Sequence, residues 1–153
     1  MRRNLEAEAL AQFADAAHEK GLEVFAGQSK KNRLSLGGNN YFQFGDLRVE
    51  TDARTVVVEA ESAGGVTNLV KYWYWIRIHG LGKPLSLIHV FQQNSDQDYV
   101  AHLEVWDFLA HRIDNDLGAS FSAHRYCYRG VGDLAPALAE FRRLIEGGEV
   151  EGS

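Results

Sequence analysis

Helical and strand periodicities alternate along the chain. Over residues 4–20 alanine and glutamate dominate, and Leu10, Phe13 and Ala17 share one helical face. Gly21 supplies the stop for that helix. The run FAGQSKKNRLSLGGNN is rich in Gly, Asn and Ser and reads as loop with a short strand, and residues 41–45 read as part of a strand. A hairpin follows: Leu47 and Val49 point one way, Asp46, Arg48 and Glu50 the other, and Thr51 to Arg54 make the turn. The next strand, Thr55–Glu61, contains a VVV run that implies burial on both faces. Gly64 and Gly65 break the chain, and Thr67 serves as N-cap for a helix through NLVKYWYWIRI. Its predicted buried stripe is Leu69, Trp73 and Ile76, with Asn68, Lys71, Tyr72 and Trp75 on the adjoining face.

Leu85–Gln92 is a further strand. Ser95 and Asp98 resemble a capping box ahead of a helix with the apolar line Tyr99, Leu103, Trp106, Ala110, Ile113 and Leu117, stopped by Gly118. A strand over 119–128 precedes a last helix capped by Asp133, with Leu134, Leu138, Phe141 and Ile145 inward and Gly147 and Gly148 at its end. This order predicts an α/β fold, a mixed β-sheet flanked by helices. One domain is expected over residues 1–147, with 148–153 as a loose tail.

The hairpin raises a chemical question. A two-residue turn and a four-residue loop give the same register: Glu50 faces Thr55, Val49 faces Val56, Arg48 faces Val57 and Leu47 faces Val58. Continued by one pair, Asp46 faces Glu59, and Glu61 lies on the same face as Glu59. Opposed carboxylates about 5 Å apart repel, and each raises the pKa of the other unless a cation intervenes. Two readings are open here. Arg48, diagonal to Glu59, neutralises the cluster as a cross-strand ion pair, or Asp46, Glu59 and Glu61 cradle a divalent ion such as Mg²⁺.

Composition narrows the field modestly. The chain has 153 residues, enough for a proper core, since a chain of this size buries about 70% of its extended surface. A single cysteine, Cys127, excludes an internal disulfide framework and a cysteine-rich zinc site, and fits a reducing, cytoplasmic setting. The opening MRRNLEAEALAQ is charged too early for a signal peptide, and no run approaches the roughly 18 apolar residues of a membrane span. Net charge is −5, which counts mildly against a nucleic-acid binder, although Lys30, Lys31 and Arg33 form a local basic cluster. The histidines lack zinc spacing; His89 reads as a satisfied core residue, and Trp73, Trp75 and Trp106 as packing. Neither a nucleophile elbow nor a phosphate-binding glycine loop is present.

Gly45-Asp46, the acidic strand VVVEAE and the order helix, hairpin, helix, strand resemble the PD-(D/E)XK, or restriction-endonuclease-like, nuclease superfamily in its E-x-E form. Glycine stands where that family has proline, and Glu61 where it has lysine. The resemblance implies an αβββαβ core followed by a C-terminal α-β-α, and Mg²⁺- or Mn²⁺-dependent hydrolysis of phosphodiesters, most simply in DNA. By this resemblance Asp46, Glu59 and Glu61 are metal-binding and catalytic. Lys71 replaces the missing strand lysine from the helix, and Glu6 on the first helix is a further metal ligand, preferred to Glu8. Asn68 and Tyr72 match the spacing of a Q-x-x-x-Y motif and are assigned with Lys30, Lys31 and Arg33 to nucleic-acid binding. A homodimer is expected if both strands of a duplex are cut. The competing expectation is a non-catalytic module on the same scaffold that binds protein or nucleic acid.

Overall fold

The computed structural model describes residues 4–61 and 65–146. In chain order it contains α1 (Glu6–Glu19), β1 (Phe25–Ala26), β2 (Arg33–Gly37), β3 (Asn40–Gln43), β4 (Leu47–Glu50), β5 (Thr55–Glu61), α2 (Thr67–Ile78), β6 (Leu85–Gln92), α3 (Val100–Leu117), β7 (Phe121–Tyr128) and α4 (Ala135–Ile145). The main sheet has five strands in the order β1-β4-β5-β6-β7. β4 runs antiparallel to β1 and β5, while β5, β6 and β7 are parallel. The fold is therefore mixed α/β, with helices on both faces of the sheet.

Alternation along β5 and β6 creates two separate cores. Val56, Val58, Ala60, Ile88 and Val90 meet α1 and α4 on one face. Val57, Leu85, Leu87 and Phe91 meet α2 and α3 on the other. The VVV run is buried on both sides, as its composition implies. β2 and β3 form a separate two-stranded hairpin.

The β4–β5 register matches the expected one at all four pairs from Leu47↔Val58 to Glu50↔Thr55. The ladder then changes character. The Asp46 amide still donates to the Val58 carbonyl (3.1 Å), but the Ala60 amide donates to the Asp46 side chain (2.8 Å). Gly45 makes this possible. Its φ is +84°, and a Cβ there would sit 2.3 Å from a Val57 methyl. The position excludes proline, whose φ is fixed near −65°.

Three local expectations are corrected. In α2 the fully buried residues are Leu69 and Tyr72, while Trp73 and Ile76 are only half-buried. Thr67 is the first helical residue and makes no side-chain cap. Ser95 and Asp98 close a turn through the Asp98 carboxylate, but α3 begins only after Tyr99, which has φ +67°. The expected stop at Gly147 and Gly148 and the tail fall outside the described residues. Among the described residues no helix is long and apolar enough to cross a membrane.

Candidate active site

The acids at the open end of the hairpin come from strands pinned by main-chain pairing, so little freedom remains in where they point. Glu59 and Glu61 leave β5 on the α2 face, and the parallel register sets His89 of β6 beside Glu59. Glu59 is 3% exposed. Its Oε2 accepts from the Tyr72 hydroxyl (2.6 Å) and from Lys71 Nζ (2.9 Å). Lys71 Nζ also donates to the Gln43 carbonyl (3.0 Å), which fixes the ammonium between α2 and β3. Burial pushes the Glu59 carboxyl upward; Lys71 opposes that shift and Asp46 reinforces it.

Asp46 is half-buried and held by the Ala60 amide on Oδ2 and by Gln43 Nε2 on Oδ1 (3.1 Å). Glu61 lies one pleat beyond Glu59. Its Oε1 accepts from Asn68 Nδ2 at 2.6 Å. Burial, then the charges of Asp46 and Glu6, push its pKa up to about 7, against opposing contributions from Lys71 and Asn68. Gly65 backs directly onto this carboxylate, since a Cβ there would come within 2.6 Å of Oε1. Glu6, on the first turn of α1, is thus an electrostatic neighbour of the cluster, while Glu8 is exposed.

Arg48 does not neutralise these acids. Its guanidinium is buried against Phe25 and Phe44 and bonds Glu50, Asn32 Oδ1 and the Lys31 carbonyl. Positive charge at the acid cluster comes instead from Lys71 on α2. Tyr72, expected on a nucleic-acid surface, is fully buried and serves Glu59, and the Asn68 amide is committed to Glu61. Lys30, Lys31 and Arg33 are exposed, and Arg33 stacks over the Tyr41 ring at 4.0 Å.

Gln43, which the sequence did not single out, and His89 and Trp106, which read there as core and packing, also bear on this site. Gln43 links Asp46 to Lys71. His89 is fully buried, and its Nδ1 accepts from Trp106 Nε1 at 3.0 Å. Among the described residues its Nε2 has no hydrogen-bond partner, and it stands 3.6 Å from Glu61 Oε1, so His89 is only half satisfied there. Burial lowers its pKa to about 4, and the ring is neutral at pH 7. The only sequence signal for His89 was a polar residue inside an apolar strand.

Among the described residues no three His, Cys, Asp or Glu side chains stand close enough together to form a ready-made metal cage. The donor chemistry nevertheless suits a hard divalent ion. The donors are carboxylate oxygens carrying more negative charge than Lys71 offsets, and Mg²⁺ needs only one or two carboxylates because it retains several waters. Compared with known proteins, the chain matches no family model, no curated protein and no solved structure.

Proposed function

We propose that this protein is a metal-dependent nuclease with a restriction-endonuclease-like core, hydrolysing phosphodiester bonds in DNA. The observation that carries this reading is the meeting of two elements at one point. A helix lysine, Lys71, reaches Glu59 at 2.9 Å, on the hairpin end where Asp46 and Glu61 also bear on one another. The helix thereby supplies the positive charge that the E-x-E strand lacks. With β2 and β3 set aside as a separate hairpin, the main-sheet order α1, β1, β4, β5, α2, β6 supports the αβββαβ reading.

Asp46, Glu59 and Glu61 would hold Mg²⁺ or Mn²⁺, with Glu6 adjacent. A bound ion supplies a Lewis acid for the phosphate and lowers the pKa of a coordinated water. The chain's own groups do the rest. Lys71 stabilises negative charge building on the phosphoryl oxygens. The Glu61 carboxylate would take a proton from the attacking water. Gln43 holds Asp46 and Lys71 in fixed relation. The exposed Lys30, Lys31 and Arg33 engage backbone phosphates. Cleavage of both strands of a duplex calls for a homodimer.

The test is incubation of the full chain with single- and double-stranded DNA and with RNA, in Mn²⁺, Mg²⁺ or EDTA, alongside thermal melts in the same solutions. Metal-dependent cleavage and a raised Tm with Mn²⁺ are expected. No cleavage of any substrate together with an unchanged Tm overturns the proposal. A second reading, a non-catalytic binding module on the same scaffold, draws support from Glu59 Oε2 already holding two donors. It predicts salt-dependent nucleic-acid binding with no cleavage in any metal.

A further inference from the structure

His89 is costly where it stands. A leucine or methionine would fill the same space between Phe91 and Trp106 without bringing in polar nitrogens. Instead the imidazole is fully buried with one nitrogen lacking a hydrogen-bond partner among the described residues, an arrangement folded proteins rarely keep. The indole N–H of Trp106 can only donate, so Nδ1, which receives it at 3.0 Å, carries no proton. The remaining proton of the neutral ring must sit on Nε2. Nε2 stands 3.6 Å from Glu61 Oε1, just outside hydrogen-bond reach. The same oxygen receives Asn68 Nδ2 at 2.6 Å, and Gly65 closes the space behind the carboxylate. Among the described residues Asn68 is the one hydrogen-bond donor to this carboxylate and it takes Oε1, which leaves Oε2 for the site.

We propose that Trp106 and His89 form a positioning device for Glu61, in which Trp106 fixes the imidazole as its Nε2–H form and the polar N–H, 3.6 Å from Oε1, reinforces the Asn68 hydrogen bond to that oxygen so that Oε2 faces the site. His89 is a positioning residue; it acts through Glu61 and touches neither substrate nor metal. The device itself stands on the contacts above. Its consequence for metal binding rests on the nuclease reading.

The test has a metal-free arm and a metal arm. In the metal-free protein, ¹⁵N-resolved NMR of the imidazoles should show His89 protonated at Nε2 and not at Nδ1, and Glu61→Gln should displace the Nε2 resonance. A proton on Nδ1, or an Nε2 signal indifferent to Glu61→Gln, overturns the proposal. In the metal arm, glutamine and asparagine are compared at position 89. The glutamine amide reaches the place of Nε2 and the asparagine amide that of Nδ1, at similar polarity. His89→Asn should weaken Mn²⁺ binding about tenfold or more and His89→Gln by no more than about threefold, the scale typical of groups that orient metal ligands. Equal affinities in both variants and the parent overturn the proposal. Where His89→Asn does not fold by circular dichroism, Trp106→Phe replaces it and should give mixed tautomers and the same weakening. A parent protein that binds no Mn²⁺ removes the nuclease reading, and the metal-free spectra then decide the positioning device alone.

Discussion

Glu50 and Glu61 sit at opposite ends of the same hairpin, one at the turn and one at the mouth, and their surroundings differ sharply. Glu50 receives Arg48 at 2.5 Å, Lys83 at 2.8 Å and the Thr55 hydroxyl at 2.7 Å. Burial pushes its pKa up, but the bonds from Lys83, Thr55 and Arg48 outweigh burial and hold the carboxyl below its ordinary value. Glu61 is also half-buried, yet its hydrogen-bond donor among the described residues is a neutral amide and its charged neighbours include two acids. Its pKa is driven the other way, to about 7. A buried or half-buried acid that serves only the fold acquires cations. One that lacks them, while its neighbours are acids too, imposes a cost on the fold that a function must explain.

The comparison breaks most visibly through the lysines. Lys71→Met strands Glu59 in a nearly dry setting and should cost about 3–5 kcal/mol in denaturant unfolding, the scale for removing one partner of a buried pair. Lys83→Met should cost about 1 kcal/mol or less, because Lys83 is a third exposed and Glu50 keeps Arg48 and Thr55. Equal losses would erase the distinction between the two ends.

Titration sharpens it further, because the signs are opposite. The folded protein holds the Glu61 proton more tightly than the unfolded chain does, so this group weakens the fold as pH rises from 4.5 through about 7. Glu61→Gln should therefore stabilise the metal-free protein by up to about 3 kcal/mol at pH 8 and leave it unchanged at pH 4. For Glu50 the folded value is lowered, so its contribution is present above pH 4.5 and is lost as pH falls through that lower folded value. Glu50→Gln should destabilise at pH 7, by about 1–3 kcal/mol, since it leaves the buried Arg48 short of a partner. Unfolding curves of both variants across pH 4–8 check the two signs.

Chemistry gives the next contrast. Asp46→Asn should reduce Mn²⁺-dependent cleavage at least about 100-fold, the upper end of what loss of a supporting group alone costs. Glu50→Gln should leave cleavage of the folded fraction unchanged. The smallest effect belongs to the exposed cations. Alanine at Lys30, Lys31 or Arg33 should change stability by no more than about 0.5 kcal/mol and should each lower the salt slope of DNA binding by about 1. Affinity measured over a salt series checks this.

Much of this arrangement was legible in the chain. The hairpin register followed from a tight turn and strict alternation, both local properties, and it placed Glu59 and Glu61 on one face correctly. Lys71 was reachable because helical spacing put it on the face next to Leu69. The parallel pairing of β5 with β6 was not legible, because it depends on how the α2 crossover folds back over one face of the sheet. The partnership of Glu59 with His89, and of His89 with Trp106, was hidden for that reason. The Trp-Tyr-Trp run misled for another. Hydrophobicity alone favours Trp73 for the core, but Tyr72 enters because Glu59 satisfies its hydroxyl. Arg48 was drawn toward Glu59 by diagonal proximity, whereas Asn32 and Glu50 offered it better geometry.

The parallel run of β5, β6 and β7 also governs when the pocket comes into being. Hairpin acids can meet early, since a few residues of turn connect them. Their helix lysine, the strand imidazole and its indole arrive only after two long crossovers have closed, with all the chain entropy those closures consume. A chain halted before β6 would carry the acids without their shelter, so competence at this end of the sheet is a late and all-or-none property of the whole fold.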